Sequence, residues 1–155
     1  MTTNIKLTPV ATVVGGRSEA TDDHWAGVQA DIVLEDRFPL DALLGLDQFS
    51  HLDIVYLFHG VEEASIVTGA RHPRGRQEWP LVGIFAQRAK ARPNRIGVST
   101  CRLLGVTGRT IRVADLDAID GTPVLDIKPY VAEMGPRTTV VEPEWIKELM
   151  TDYWQ

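Results

Sequence analysis

The sequence has one cysteine, Cys101, in 155 residues, which leaves nothing for an internal disulfide to join. A solitary thiol fits a reducing compartment, so a cytoplasmic protein is expected. Cys101 alternates with Leu103 in a strand-like segment and reads as a small buried hydrophobe, not a nucleophile. No apolar run reaches the ~20 residues that cross a bilayer, and no membrane partner is expected. Met1 to Lys6 lacks the apolar core of a secretory leader. An excess of positive charge is also missing: the formal net charge is −5, which argues against indiscriminate coating of nucleic acid. No GxGxxG opens a helix and strands do not alternate with helices, so a dinucleotide-binding parallel sheet is disfavoured. His51 and His59 lie eight residues apart on a segment rising about 3.3 Å per residue, too far to share a metal ion. No metal is expected.

With 44% apolar residues, the chain reads as one domain spanning residues 1–155. Short alternating segments punctuated by Gly and Pro fall at Leu7–Val14, Val28–Leu34, His51–His59, Ala64–Thr68, Leu81–Ala86 and Val124–Tyr130. Ile96–Val106 and Thr110–Ala114 form a hairpin with Gly105 and Gly108 in its turn. Leu52, Ile54, Tyr56 and Phe58 share one strand face, and the other face is apolar at its centre, which marks a central strand. Pro39–Leu46 has helical spacing, and residues of about 143–154 place Trp145, Leu149 and Tyr153 on one face of an amphipathic helix. The expected fold is mainly β: a small closed β-barrel with short helices and a C-terminal amphipathic helix.

Arg92 to Tyr130 organises the chain. It opens on Arg-Pro-Asn-Arg-Ile-Gly97 and closes on Asp120-Gly-Thr-Pro-Val-Leu-Asp-Ile-Lys-Pro-Tyr130, two bends flanking one piece of sheet. Asn94 and Gly97 tolerate positive φ, the prolines fix theirs, and Asp120-Gly121 signals a tight turn. Such loops hold charged groups in defined places, which a small polar ligand requires. From Arg71 to Arg95 seven basic residues face Glu78 alone, a net of +6 that leaves −11 elsewhere. Arginine predominates, so an anion site for phosphate or carboxylate is expected there. The loop Arg71–Pro80 has no periodic apolar face and reads as mobile before substrate arrives.

Phe49–His59, Gly83–Arg88, Arg92–Gly97 and Asp120–Tyr130 follow one another in the order found in the TsaA-like (TrmO, YaeB) family, which the chain resembles from roughly Leu7 to Val131. The resemblance implies a β-barrel enzyme that uses S-adenosyl-L-methionine to methylate N6 of threonylcarbamoyladenosine beside the tRNA anticodon. It also implies a homodimer with tRNA as its substrate partner. The chain departs from the family in carrying Arg95 where a proline is usual, and Gln87-Arg88-Ala89 where Thr-Arg-Ser is usual.

By that resemblance the cofactor is held by Trp25, Ala26, Gly27, Phe58, His59, Arg88, Val98, Asp115, Leu116 and Asp117, with Arg92, Asn94 and Arg95 toward the substrate. A Trp25 packed at a loop base and a His59 closing the sheet edge are the structural alternatives. A methyl on a sulfonium is already activated, so the protein has mainly to align the reactants, and alignment supplies roughly 7–11 kcal/mol in ideal cases. An N6 nitrogen is a weak nucleophile whose proton must leave, and a positioned acceptor helps. Asp120, Asp126 and Tyr130 are the candidates, with Lys128 holding a phosphate or polarising a carbonyl. Asp120 also reads simply as a turn residue, and Asp126 and Lys128, on one strand face, are placed to pair with each other. Asp126, Lys128 and Tyr130 are taken as the catalytic group. A module that binds the same cofactor without turning it over, or a methyltransferase of a different RNA or a small substrate, is the alternative function.

Overall fold

A computed structural model describes residues 2–155. The strands are β1 (Ala11–Val14), β2 (Gln29–Leu34), β3 (His51–Leu57), β4 (Ala70–Arg71), β5 (Val82–Gly83), β6 (Ile96–Thr107), β7 (Thr110–Ala114) and β8 (Pro123–Pro129), followed by one α-helix, α1 (Glu144–Leu149). Six of them close into an antiparallel barrel in the order β1-β2-β7-β6-β3-β8, and β4 and β5 form a separate ribbon. The alternation read from the sequence decides which side chains point inward. Val13, Ile32, Leu52, Ile54, Cys101, Ile111, Val113 and Val124 are almost wholly buried and fill the barrel. Burying each of the larger ones stabilises the fold by roughly 1.5–3 kcal/mol. Burial first, helped by the nearby Asp115, pushes the Cys101 thiol up to about 12, so it is no thiolate at neutral pH.

Register defines two ends. Leu57 pairs with Ile96, Tyr56 with Val124, Gln29 with Ala114 and Val14 with Asp31, so the loops beyond these residues share an upper rim. His51, Pro129, Leu34 and the β6–β7 turn lie toward the opposite, lower rim. β8 carries a bulge: Asp126 pairs with Val55 and Val124 with Tyr56, which leaves Leu125 between them unpaired.

Several expected elements come out shorter or different. The first strand starts at Ala11, and Leu7 before it is exposed; Pro9 has no N–H to give a ladder. Pro39–Leu46 is two 3₁₀ turns broken at Gly45, whose φ is 85°. Ala64–Thr68 forms no strand, because Ser65 N–H and Ile66 N–H bond three residues back, to Glu62 and Glu63. Leu81–Ala86 is strand only at Val82–Gly83 and then turns as a 3₁₀ helix. Gly105 sits inside β6 at a bulge, and the hairpin turn is Gly108–Arg109. The C-terminal helix ends at Leu149, five residues before the expected limit. Beyond it the carbonyls of Asp152 and Tyr153 accept hydrogen bonds from His24 N–H (3.0 Å) and Trp25 N–H (2.8 Å), which holds the chain out of helical geometry.

Candidate functional site

Among the described residues, five non-glycine residues have left-handed backbones: His24 (φ 66°), Arg74 (54°), Asn94 (62°), Arg95 (51°) and Asp115 (66°). All belong to the upper rim or the loop laid against it, and such conformations persist only where surrounding contacts over-determine them. Asp115 shows how. Its N–H donates to Val28 O at 3.1 Å while its Oδ1 accepts from Gly27 N–H at 2.6 Å, tying the β7 exit to the loop before β2. Leu116, next along, is buried in the core and anchors the turn.

Asp117 is the centre of the rim. Its Oδ1 accepts from the Tyr56 hydroxyl at 3.1 Å, and its Oδ2 accepts from the Tyr153 hydroxyl in a short hydrogen bond. Burial first, and the Asp117 carboxylate second, push both phenols far above the ordinary tyrosine range, so each stays a donor; the Arg88 charge acts in the opposite sense on both. Tyr56 packs edge-to-face on Phe58, with centroids 5.3 Å apart. Gly97 makes this possible, because a Cβ there would lie 2.7 Å from the Tyr56 ring and 2.8 Å from the Phe58 ring. Arg88 donates from Nη2 to Val98 O at 2.8 Å, which fixes its guanidinium beside the start of β6.

Gly27, Phe58, Arg88, Val98, Asp115, Leu116 and Asp117 are therefore drawn together by the fold. Trp25 is buried, with its indole N–H on Thr21 O and one face covered by Arg17 at 4.5 Å, so that face is taken. Ala26 is exposed beside it. His59 is exposed and its ring lies over the next turn, 3.8 Å from where a Gly121 methyl would sit. Asp120 holds that turn: Oδ1 accepts from Gly15 N–H at 2.7 Å, and its own N–H donates to Arg17 O.

The basic stretch is more tied down than a free anion site. Arg92 donates to Gln87 O (2.5 Å), Arg95 to Val61 O (2.7 Å) and Arg74 to Asp23, while Asn94 is exposed at the tip of the bend. Arg95 adopts a φ that a proline ring cannot reach, so its departure from the family pattern comes with a different backbone. The Arg71–Pro80 loop is held as well. Trp79 is buried with its indole N–H on Glu148, the His72 ring bonds Trp79 O, and the buried Gln87 amide donates to Arg71 O and Val82 O.

Asp126, Lys128 and Tyr130 lie elsewhere. They follow β8 down the barrel: Lys128 opposite Asp53, and Tyr130 with its N–H on His51 O at the lower rim. Lys128 Nζ is 2.8 Å from Asp126 Oδ2, and this bond holds the ammonium pKa above the ordinary lysine value. Asp126 is the sole charged residue lining a cavity of about 550 Å³ formed with Phe38, Leu43, Leu46, Phe49 and Pro129. Nothing cationic there would hold a carboxylate, which favours the upper rim for a polar ligand. Asp126, Val55 and Val98 do share one row across β8, β3 and β6, two strand spacings of about 4.8 Å each from end to end.

Three residues of the rim were not singled out as site residues from sequence. Tyr56 read as core, Tyr153 as one face of a helix, and Gly97 as a bend residue. The signal for Tyr56 was available: a buried tyrosine needs a partner for its hydroxyl, and a carboxylate in a bend is one.

Residues 21–135 match the tRNA-methyltransferase O N-terminal domain family. The chain is 41% identical over 105 residues to a human tRNA (adenine(37)-N6)-methyltransferase, covering 68% of this chain and 23% of that protein. It is 41% identical over 100 residues to a probable S-adenosyl-L-methionine-binding protein of Pyrococcus abyssi, covering 64% of this chain and 52% of that one. A crystal structure of TrmO from Pseudomonas aeruginosa superposes with a TM-score of 0.75 at 27% identity, over 94% of this chain and 63% of that one. The chain thus spans between about a quarter and two thirds of the length of these proteins.

Proposed function

The chain belongs to the tRNA-methyltransferase O N-terminal domain family, and from that premise we propose that it is an S-adenosyl-L-methionine-dependent methyltransferase. Its acceptor is N6 of threonylcarbamoyladenosine beside the tRNA anticodon, and it works in the cytoplasm. The observation that carries this reading is the convergence of Gly27, Phe58, Arg88, Asp115 and Asp117 on one rim. The donor set fits the ligand. Asp117 keeps lone pairs after accepting from two phenols and suits an ammonium or ribose hydroxyls, and Arg88 keeps N–H groups for a carboxylate. Phe58 offers an aromatic face to a positive charge. When bound, S-adenosyl-L-methionine supplies a methyl group already activated by its sulfonium.

The protein's own work is then orientation and proton removal. The two tyrosines fix the rotation of the Asp117 carboxylate, and Gly97 keeps the aromatic pair in place. On β8, Asp126 takes the proton from the acceptor nitrogen once its bond to Lys128 is exchanged, Lys128 turns to a phosphate or carbonyl of the substrate, and Tyr130, two residues farther along the chain, completes the group. Arg92, Asn94 and Arg95 face the RNA. We further propose a homodimer. Val98 is 46% exposed and shares the outer barrel face with half-buried Val55 and Leu57, an apolar row that a second copy would cover.

Calorimetry with S-adenosyl-L-methionine, paired with radiolabelled methyl transfer to bulk tRNA, tests the proposal. Binding together with transfer is expected. Binding without transfer to any tRNA supports the second reading, a cofactor-binding module, which the Asp126–Lys128 ion pair favours because the named acceptor is already bonded at rest.

A further inference from the structure

We propose that the cleft between Phe85 and Trp145 holds one unpaired base of the RNA substrate; this rests on the methyltransferase reading above. The cleft has a volume of about 270 Å³, with Phe85, Ala86 and Arg88 on one side and Glu142, Trp145 and Ile146 on the other. That is below the ~300 Å³ at which pockets begin to enclose drug-sized ligands, so it takes a single ring system and not a whole cofactor.

Phe85 is 76% exposed, an unusual position for a phenylalanine in a rigid turn. Its neighbours explain why it stays there. Ile84, just before it in the 3₁₀ turn Ile84–Ala86, is buried in the protein. Gln87, two residues on, is buried and bonded to Arg71 O and Val82 O. The ring is therefore projected outward by a backbone anchored on both sides. The opposite wall is fixed as well, since α1 is bound through Glu148 to the Trp79 indole and the chain after it through Tyr153 to Asp117. Two aromatic side chains thus line the cleft before any ligand arrives.

The chemistry selects a nucleobase. Unpaired RNA bases are recognised by stacking on aromatic rings and by hydrogen bonds along their edges. Arg88 supplies N–H donors and Glu142 a carboxylate acceptor at the cleft edge. Lys90, exposed two residues after Arg88, provides positive charge for an adjoining phosphate, while the Arg92 and Arg95 guanidinium groups are held by Gln87 O and Val61 O. Arg88, fixed by Val98 O, also belongs to the proposed cofactor set, so a base in the cleft lies next to the methyl donor. Trp145 and Glu142 fall outside residues 21–135, so this wall is not part of the matched family region.

The test measures binding of the full chain to an anticodon stem-loop RNA and to a blunt duplex of equal length, by fluorescence anisotropy, with S-adenosyl-L-methionine affinity measured in parallel. Phe85→Ala and Trp145→Ala are each expected to weaken stem-loop binding about 10-fold or more, the range of single base–aromatic stacks. Phe85→Trp retains it, and duplex and cofactor affinities stay unchanged. Phe85 is exposed, so its replacement leaves the fold intact even if Trp145→Ala does not. Equal stem-loop affinity in wild type and Phe85→Ala overturns the cleft. A stem-loop effect without methyl transfer in the wild type would keep the cleft and discard the reaction.

Discussion

The two ends of this barrel are built from different materials. The upper rim is polar and over-determined: Asp115 and Asp117 each accept from or donate to partners on other loops, and the left-handed residues gather in or against it. The lower rim is mainly apolar, with Leu44 86% exposed and Phe49 partly open at a cavity lined mostly by apolar residues, and Tyr130 partly exposed at the end of β8. A rim that fixes carboxylates and a guanidinium suits a small charged ligand. A rim of leucines suits packing against something large and apolar. The β8 residues Asp126 and Lys128 sit between the two, on the outer wall, in an ion pair open to water.

Substitutions sharpen that contrast. The largest effect is expected for Gly97→Ala: the added methyl meets two aromatic rings, and overpacking of this kind costs about 1–3 kcal/mol. Thermal unfolding should show it, and cofactor binding should fall with it, whereas a lower-rim change such as Leu44→Ala should leave both unaltered. Arg95→Pro comes next. The ring cannot take φ 51° and the Arg95 N–H bond to Arg92 O is lost, so denaturant titration should register a loss of more than about 1 kcal/mol. Tyr153→Phe removes one donor from Asp117 and should weaken cofactor affinity several-fold in calorimetry while the barrel core stays folded. Lys128→Ala should cost under about 1 kcal/mol of stability, as exposed pairs do, yet abolish methyl transfer with cofactor affinity intact. Full activity in that variant would remove Lys128 from the mechanism.

Alkaline titration separates the two ends in another way. Tyr56 and Tyr153 have raised pKa values in the folded protein, so they bind protons longer than in the unfolded chain, where tyrosine ionises near pH ~10. Their contribution is fully present below that pH and declines as pH rises above it. Stability should fall from about pH 10 upward, and less steeply in Tyr153→Phe.

The barrel was legible because each long strand alternates. Leu52, Ile54 and Tyr56 point inward as their spacing requires, and β6 and β7 pair as the hairpin pattern indicates. Elements without an apolar period of their own were misread. Ala64–Thr68 resembles a strand in composition, but local N–H bonds three residues back decide its conformation. The Arg71–Pro80 loop looked mobile because its anchors, the Trp79–Glu148 and Gln87 bonds, join residues far apart in the chain. The fold brings Gly27, Arg88 and Asp117, which the resemblance grouped, onto one rim, whereas Tyr153 reaches Asp117 across 36 positions by a path no local pattern encodes.

The most direct test of the account is a crystal structure grown with S-adenosyl-L-methionine in excess. The ligand is expected at the upper rim, in contact with Phe58, Arg88 and Asp117. Ligand density in the aliphatic cavity between Phe38 and Pro129, with that rim vacant, would contradict it.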